Sequence, residues 1–134
     1  MILLDTHAFV WLASDSAKLP AAAADAIRGA RGHLFYSTIS ALEIAFLVRG
    51  KRLSLPLDVP AYLTQAASRH GITEIPVDSR IAVRSADLPR LHDDPFDRII
   101  LATAFERDLS LISGDRMISR YPGARVIWES ARSV

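Results

Sequence analysis

A helix followed directly by a strand is encoded in residues 94–115, which read DPFDRIILATAFERDLSLISGD. Asp94 is a typical N-cap residue, and the proline after it suits the first helical position because it has no N–H group to leave unpaired. This pattern predicts a helix that runs to about Arg107. The apolar run from Ser110 to Ile112 then predicts a short buried strand. A helix that leads into a strand is the repeating unit of a parallel α/β sheet.

Short apolar runs and helical patterns alternate along the rest of the chain as well, which is typical of a parallel sheet with crossover helices. Further strands are predicted at Ile2 to Leu4, His33 to Tyr36, Thr73 to Ile75 and Arg125 to Ile127. Helices are predicted from Pro20 to Gly29, from Ser37 to Arg49, from Pro60 to His70 and after Asp78, with a short helical turn after Asp115. No repeat or linker divides the 134 residues, so we expect a single domain over residues 1–134.

The composition excludes some kinds of site. The chain has no cysteine, so a disulfide framework and a thiolate zinc site are excluded, and a bound metal would need oxygen or imidazole ligands. Sixteen basic residues nearly balance fifteen acidic ones, so the net charge by itself does not indicate nucleic-acid binding.

The sequence shows no targeting or membrane-spanning segment. The apolar run that ends before Asp5 is too short for the core of a signal peptide, and no uncharged run has membrane-spanning length. We therefore expect a cytoplasmic protein with no membrane partner.

Two aspartates follow predicted strands. Asp5 comes directly after the strand that ends at Leu4, and Asp115 lies three residues after Ile112. The loops at the carboxyl ends of parallel strands emerge side by side, and the ligand sites of open α/β sheets form there. Either aspartate taken alone is also explained as the N-cap of a helix that follows it.

Two further acids lie on faces of predicted helices that are otherwise apolar. Glu43 interrupts an apolar stripe, and a buried carboxylate needs a cation or hydrogen bonds nearby. Its alternative role is a capping box with Ser40, because the two residues have the S-x-x-E spacing. Asp97 lies on the inward arc of the helix that Asp94 caps, and its alternative role is to stabilise the first turn of that helix.

Each of the four acids thus comes from a separate segment of the chain. A single shared site explains their positions better than four unrelated capping roles do. Carboxylates that lie close together raise one another's pKa unless a cation compensates their charge. Oxygen ligands without cysteine favour Mg²⁺, with Mn²⁺ as a substitute. The sequence therefore predicts a metal site formed by Asp5, Glu43, Asp97 and Asp115.

Four motifs resemble those of the VapC-type toxins among the PIN-domain ribonucleases. They are ILLDTH at residues 2–7, STISALE at 37–43, HDDPFDR at 92–98 and LISGD at 111–115, and their order and spacing extend over almost the whole chain. The Asp-Pro-Phe-Asp-Arg run before an apolar helix is quite specific, whereas Asp-Thr near an N-terminus is common. Ser113 is a departure, because the family usually has threonine there, but the hydroxyl group is kept.

The resemblance implies a three-layer α/β/α fold with a central, mainly parallel five-stranded sheet. It also implies a homodimer and metal-binding roles for all four acids. The implied function is that of an endoribonuclease toxin of a type II toxin–antitoxin system, which acts on RNA and is inhibited by a cognate VapB-like antitoxin.

As a mechanistic hypothesis, Asp5 and Asp97 are the principal ligands of one metal ion. Glu43 and Asp115 then complete its surroundings or hold a second ion. The metal would lower the pKa of a bound water and orient it in line with the scissile phosphate. Hydrolysis by this route leaves 5′-phosphate and 3′-hydroxyl ends.

Residues around the acids have smaller expected roles. Thr6 and Ser113 are expected to hydrogen-bond the water around the metal, and His7 and His92 to form local hydrogen bonds near the site. Arg98 is expected on the exposed face of its helix. Aromatic residues at helical positions are expected in the core or at a dimer contact rather than as base-stacking platforms; they are Phe9, Trp11, Phe46 and Phe105. The alternative function is a non-catalytic RNA- or partner-binding module in which the acids serve an interface.

Overall fold

The computed structural model describes residues 1–129, and these form a five-stranded sheet with helices around it. The strands are β1 (Ile2–Leu4), β2 (Leu34–Ser37), β3 (Ile72–Ile75), β4 (Ser110–Ile112) and β5 (Val126–Ile127). The helices are α1 (Thr6–Ala13), α2 (Ala21–Gly29), α3 (Thr38–Arg49), α4 (Val59–His70), α5 (Ser79–Asp87) and α6 (Pro95–Arg107), and a 3₁₀ turn covers Ile118–Arg120.

The order of the strands places β1 at the centre of the sheet. The order is β3-β2-β1-β4-β5, and all neighbouring pairs are parallel. Leu4 is paired with both Tyr36 and Ile112, and Ile112 is paired with Ile127, so these strands reach about the same level. The residues that follow them therefore emerge at one edge of the sheet. The predicted parallel α/β sheet is confirmed.

The side chains of β1 alternate between two cores, as the period of a strand requires. Leu4 packs with Phe9 of α1 and Ile27 of α2 on one side. Leu3 packs on the other side with Ile81 of α5 and with the apolar residues of α6. Helices thus cover both faces of the sheet, and the implied three-layer α/β/α architecture is confirmed.

Where both bounds of an element were predicted, they differ from the observed ones by at most one residue, whereas no bounds were predicted for α1. β2, for example, begins at Leu34 rather than His33. The reason is that the N–H group of His33 donates to the carbonyl of Ala30 at 2.7 Å and closes the turn after α2. Within residues 1–129, no helix has the length and apolarity that crossing a membrane requires.

Candidate active site

Acidic side chains from separate elements meet in a cavity of about 500 Å³ at the carboxyl edge of the sheet. The structure brings together all four acids that the sequence singled out, which are Asp5, Glu43, Asp97 and Asp115. It adds His7, Trp11, Asp94, Gly114 and Trp128 to the lining. Binding of a metal by the four acids stays a prediction, but their convergence on one cavity is an observed feature of the fold.

The two strand-end aspartates both accept hydrogen bonds from backbone N–H groups that follow them, and both line the cavity. Asp5 follows β1 and accepts a hydrogen bond from the N–H group of Ala8 at 2.8 Å, which makes it the N-cap of α1. Asp115 accepts from the N–H group of Met117 at 2.8 Å through Oδ1, and its Oδ2 is directed to His92. The capping role and the site role are therefore compatible, because a carboxylate has two oxygens.

Glu43 has no capping role. The N-cap of α3 is Ser37, whose hydroxyl accepts from the N–H group of Ile39, so Glu43 lies in the second turn, too far along for a capping box. Its Oε1 instead accepts a hydrogen bond of 2.6 Å from the hydroxyl of Thr6. The same Thr6 hydroxyl lies 2.9 Å from the hydroxyl of Ser40. Thr6 therefore fixes the carboxylate of Glu43 at the cavity.

Ser113 connects two of the acids. Its hydroxyl accepts a hydrogen bond of 3.1 Å from the N–H group of Asp115, and it lies close enough to the carboxylate of Asp5 to lower the pKa of that group. The side chain is 1% exposed, so water hardly competes for these interactions. Ser113 thus couples the loop after β1 to the loop after β4. That Thr6 and Ser113 also contact water around a metal remains a prediction.

His92 lies between two carboxylates. Its Nε2 is 2.7 Å from Oδ2 of Asp115 and 3.1 Å from Oδ2 of Asp97. Its Nδ1 accepts a hydrogen bond of 3.1 Å from the N–H group of Asp94, so the proton of the neutral ring is on Nε2 and is donated to the carboxylates. Burial lowers the pKa of His92, but the hydrogen bond to Asp115 and the nearby negative charges outweigh that effect, and the pKa is raised.

The electrostatics of the site disfavour an ionised Asp97. Its pKa is raised from 3.8 to about 7, first by burial and then by the negative charges of Asp94 and Asp115. Burial also raises the pKa of Asp5. Burial acts on Asp115 in the same direction, but the hydrogen bond from His92 and those from backbone N–H groups hold the pKa of Asp115 below its usual value. Negative charge is thus crowded into this cavity, and a cation would relieve the repulsion.

The donor atoms fit a divalent cation. One ligand atom from each of His92, Asp97 and Asp115 lies within 4.8 Å of the other two. Carboxylate oxygens suit Mg²⁺ and Mn²⁺, and the remaining acids of the cavity are carboxylates as well. With the ring proton on Nε2, His92 acts as a hydrogen-bond donor to these acids, and it could bind a metal only if the proton moved to Nδ1 and the bond from Asp94 were lost. The expected hydrogen-bonding role of His92 near the site is therefore confirmed.

The predicted exposure of Arg98 was wrong. Its guanidinium donates to the carbonyls of Ser85, Leu88 and Pro89 at 2.7 to 2.9 Å and to that of His92 at 3.2 Å. The segment between α5 and α6 folds back against this face of α6, which a helical projection of α6 alone does not show. Arg98 therefore holds the segment that carries His92.

The aromatic predictions were partly right. Phe9 is fully buried in the core as expected. Trp11 instead lines the acidic cavity, together with Trp128, which the sequence did not single out. Phe46 is 56% exposed, so it is not a core residue. The signal for Trp128 was its position directly after β5, at the sheet edge where Asp5 also emerges.

The fold and the site together define a class of protein: a three-layer α/β/α domain with a carboxylate cavity, suited to a divalent cation, at the carboxyl edge of a parallel sheet. The sequence profile of the PIN domain matches residues 2–124. The chain belongs to the PIN-domain family, which confirms the resemblance of its four motifs.

Individual relatives agree with this assignment. The chain is 32% identical to Ribonuclease VapC22 of Mycobacterium tuberculosis (strain ATCC 25618 / H37Rv) over 130 residues, which span 95% of this chain and 98% of that protein. It is similar in structure to VapBC2 from Rickettsia felis bound to a DNA fragment, with a TM-score of 0.70 and 16% identity over 94% of this chain and 97% of that chain. DNA-bound VapBC from Salmonella typhimurium gives a TM-score of 0.65 and 19% identity over 93% and 95%. These structural likenesses show the shared fold.

Proposed function

We propose that this chain is a metal-dependent endoribonuclease and the toxin of a type II toxin–antitoxin system. The main support is that Asp5, Glu43, Asp97 and Asp115, from four separate segments of the chain, line one cavity. Further support comes from the similarity over nearly the full length to a protein named as a VapC ribonuclease. The proposed substrate is RNA, and the proposed place of action is the cytoplasm.

Within this proposal, Asp5 and Asp97 are the principal ligands of Mg²⁺, for which Mn²⁺ can substitute, and Glu43 and Asp115 complete the site. A metal held by these residues would supply Lewis-acid chemistry: it would lower the pKa of a water molecule and stabilise charge on the phosphoryl oxygens. The products are expected to carry 5′-phosphate and 3′-hydroxyl ends.

The residues around the acids keep the carboxylates in place. Thr6 holds Glu43 through a hydrogen bond of 2.6 Å. Ser113 holds the backbone of Asp115 through a hydrogen bond of 3.1 Å and favours the ionised form of Asp5. Such preorganisation matters because a catalytic group that is already in position needs no reorganisation during the reaction.

The proposed partners are a cognate VapB-like antitoxin and a second copy of this chain. The solved structures that share the fold include protein complexes with the VapBC name, and this supports an antitoxin of the same kind. An antitoxin that covers the acidic cavity would block access of RNA to the carboxylates. Copurification of the toxin with the product of a neighbouring small gene tests this part of the proposal.

The deciding experiment is cleavage of total RNA by the purified protein with Mg²⁺, Mn²⁺ or EDTA. The Asp97→Asn variant is compared with Asp93→Asn, a matched control in which an exposed side chain four residues earlier is changed in the same way. Metal-dependent cleavage with 5′-phosphate ends, retained by Asp93→Asn and lost by Asp97→Asn, is the expected result. Cyclic phosphate ends, or cleavage that continues in EDTA, would contradict the mechanism. Binding of RNA without any cleavage would favour the non-catalytic module.

A further inference from the structure

Both tryptophans of the chain lie on the wall of the acidic cavity. Trp11 is in the last turn of α1, and Trp128 follows β5 directly. Their ring centroids are 5.6 Å apart, and the ring planes are inclined by 39°. The imidazole of His7 lies one helical turn before Trp11, and the centroids of these two rings are 5.9 Å apart. We call the two indole rings of Trp11 and Trp128 the aromatic wall.

The backbone beside Asp115 fixes the position of the aromatic wall. A Cβ atom at Gly114 would lie only 2.8 Å from Cε2 of Trp128, so the indole packs directly on the glycine. Gly114 immediately precedes Asp115, whose Oδ2 contacts His92. The distance from the wall to the carboxylates is therefore set by a close packing contact and not by a flexible linker.

The two indoles are partly exposed and line the acidic cavity. Trp128 also packs against the core that contains Leu4 and Phe9. Carboxylates that hold a cation need no flat apolar surface beside them. The cavity is therefore suited to a ligand with two parts, one that binds at the carboxylates and one that is flat and apolar. A nucleotide has this composition, with its phosphate and its base.

We propose that the aromatic wall stacks with an unpaired nucleobase next to the phosphate that a metal ion would hold at the carboxylates. This inference rests on the ribonuclease function proposed above. Stacking is tolerant of base identity because every base has a π-face, so the wall selects an unstacked nucleotide rather than a particular sequence. Lys18, an exposed residue, places its ammonium 5.8 Å from the centroid of the Trp11 ring, where it can contact a flanking phosphate.

Tryptophan fluorescence reports on this wall directly, because Trp11 and Trp128 are the only tryptophans in the sequence. The native protein, which keeps both proposed principal ligands of the metal, is mixed rapidly in Mg²⁺ with a short single-stranded oligoribonucleotide of mixed sequence, and quenching is read before cleavage proceeds. The measurement is repeated with its duplex and with oligonucleotides that carry one abasic position each. We expect quenching by the single strand, weak quenching by the duplex, and loss of quenching for abasic substitution at one position.

Variants of Trp11 provide a second readout in the cleavage assay. Trp11→Leu removes the ring, and Trp11→Phe keeps an aromatic face. Since stacking on an aromatic side chain contributes about 1–3 kcal/mol per base, we expect Trp11→Leu to raise KM by about 5- to 150-fold and Trp11→Phe to retain most of the affinity. The kcat should change less than KM, because the wall lies beside the carboxylates and is not one of the reacting groups.

The outcomes separate this inference from the proposed function. Equal quenching by intact and abasic strands would overturn the aromatic wall as a base-binding site, and so would an unchanged KM for Trp11→Leu. Metal-dependent cleavage that persists in either case would leave the ribonuclease proposal intact. If the native chain neither binds nor cleaves any RNA, both proposals fail. If Trp11→Leu does not fold, as judged by its thermal unfolding, the abasic series decides alone because it needs no change to the wall.

Discussion

Replacing Asp97 by asparagine should stabilise the metal-free protein at pH 8. The side chain of Asp97 is only 20% exposed. Burial and the neighbouring carboxylates raise the pKa of Asp97 from 3.8 to about 7. The folded protein therefore binds a proton at Asp97 more tightly than the unfolded chain does. The associated stabilisation is complete below about pH 4 and is lost as the pH rises through about 7.

The size of the effect follows from the two pKa values. A difference of about 3 corresponds to about 4 kcal/mol at pH 8, which is an upper limit because water enters the cavity and the variant loses a contact with His92. We therefore expect Asp97→Asn to raise the free energy of unfolding at pH 8 by about 1–3 kcal/mol. For a domain of this size, this corresponds to a rise in Tm of about 3–10 °C. Asparagine keeps the shape of the side chain, so the change in charge is the main perturbation.

The assay is thermal unfolding in EDTA at pH 5 and pH 8, followed by the same measurement with Mg²⁺ or Mn²⁺. Asp97→Asn should exceed the native protein in Tm at pH 8 by clearly more than at pH 5, where the folded native carboxylate is protonated and only part of the difference remains. A ligand that binds only the folded state raises its stability, so added metal should reverse the order at pH 8. A metal-free variant that is less stable than the native protein at pH 8, or a difference that does not depend on pH, would refute this reasoning.

Three further substitutions test residues that hold the site together. Arg98→Met should lower the free energy of unfolding by about 2–4 kcal/mol, measured by urea denaturation, because several carbonyls lose a charged donor. Thr6→Val removes the hydroxyl that donates to Glu43 and should lower kcat/KM for RNA cleavage by about 10-fold, with little change in shape. Gly114→Ala places a methyl group against Trp128 and should lower the free energy of unfolding by about 1–3 kcal/mol, with a change in the tryptophan emission spectrum.

Each of these substitutions has a matched control. Arg107→Met alters an exposed arginine of the same helix whose ion pair with Asp78 is 3.7 Å long, and it should change stability by less than about 1 kcal/mol. Thr6→Ser keeps the hydroxyl and should retain activity. Gly29→Ala adds a methyl group where no atom lies within 4 Å, and it should not change the tryptophan emission. Equal effects of a test substitution and its control would show that the named contact is not the cause.

Much of the fold could be predicted from local sequence patterns. The helix from Pro95 to Arg107 and the strand from Ser110 to Ile112 were predicted with their observed bounds, because the N-cap, the proline and the apolar run are all local signals. Asp5 and Asp115 could be assigned to one edge because parallel strands share their carboxyl ends.

The contacts within the site could not be predicted in the same way. The bond between Thr6 and Glu43 joins residues 37 positions apart, and that between His92 and Asp115 joins residues 23 positions apart. Such pairs depend on the path of the loops and on the rotamers that packing selects, which no periodicity encodes. For the same reason the sequence misplaced Arg98, whose partners lie in a loop that returns to α6.

Local propensities, spacing and motifs were sufficient to predict the parallel sheet, the family of the chain and the acids at the carboxyl edge of the sheet. The groups that surround these acids became evident only in the folded chain: the His92 imidazole lies between two carboxylates, and the indoles of Trp11 and Trp128 line the cavity. The physical reason is that the raised pKa of Asp97 and the packing of Trp128 on Gly114 arise from burial and close contact between distant segments, which exist only after the chain has folded.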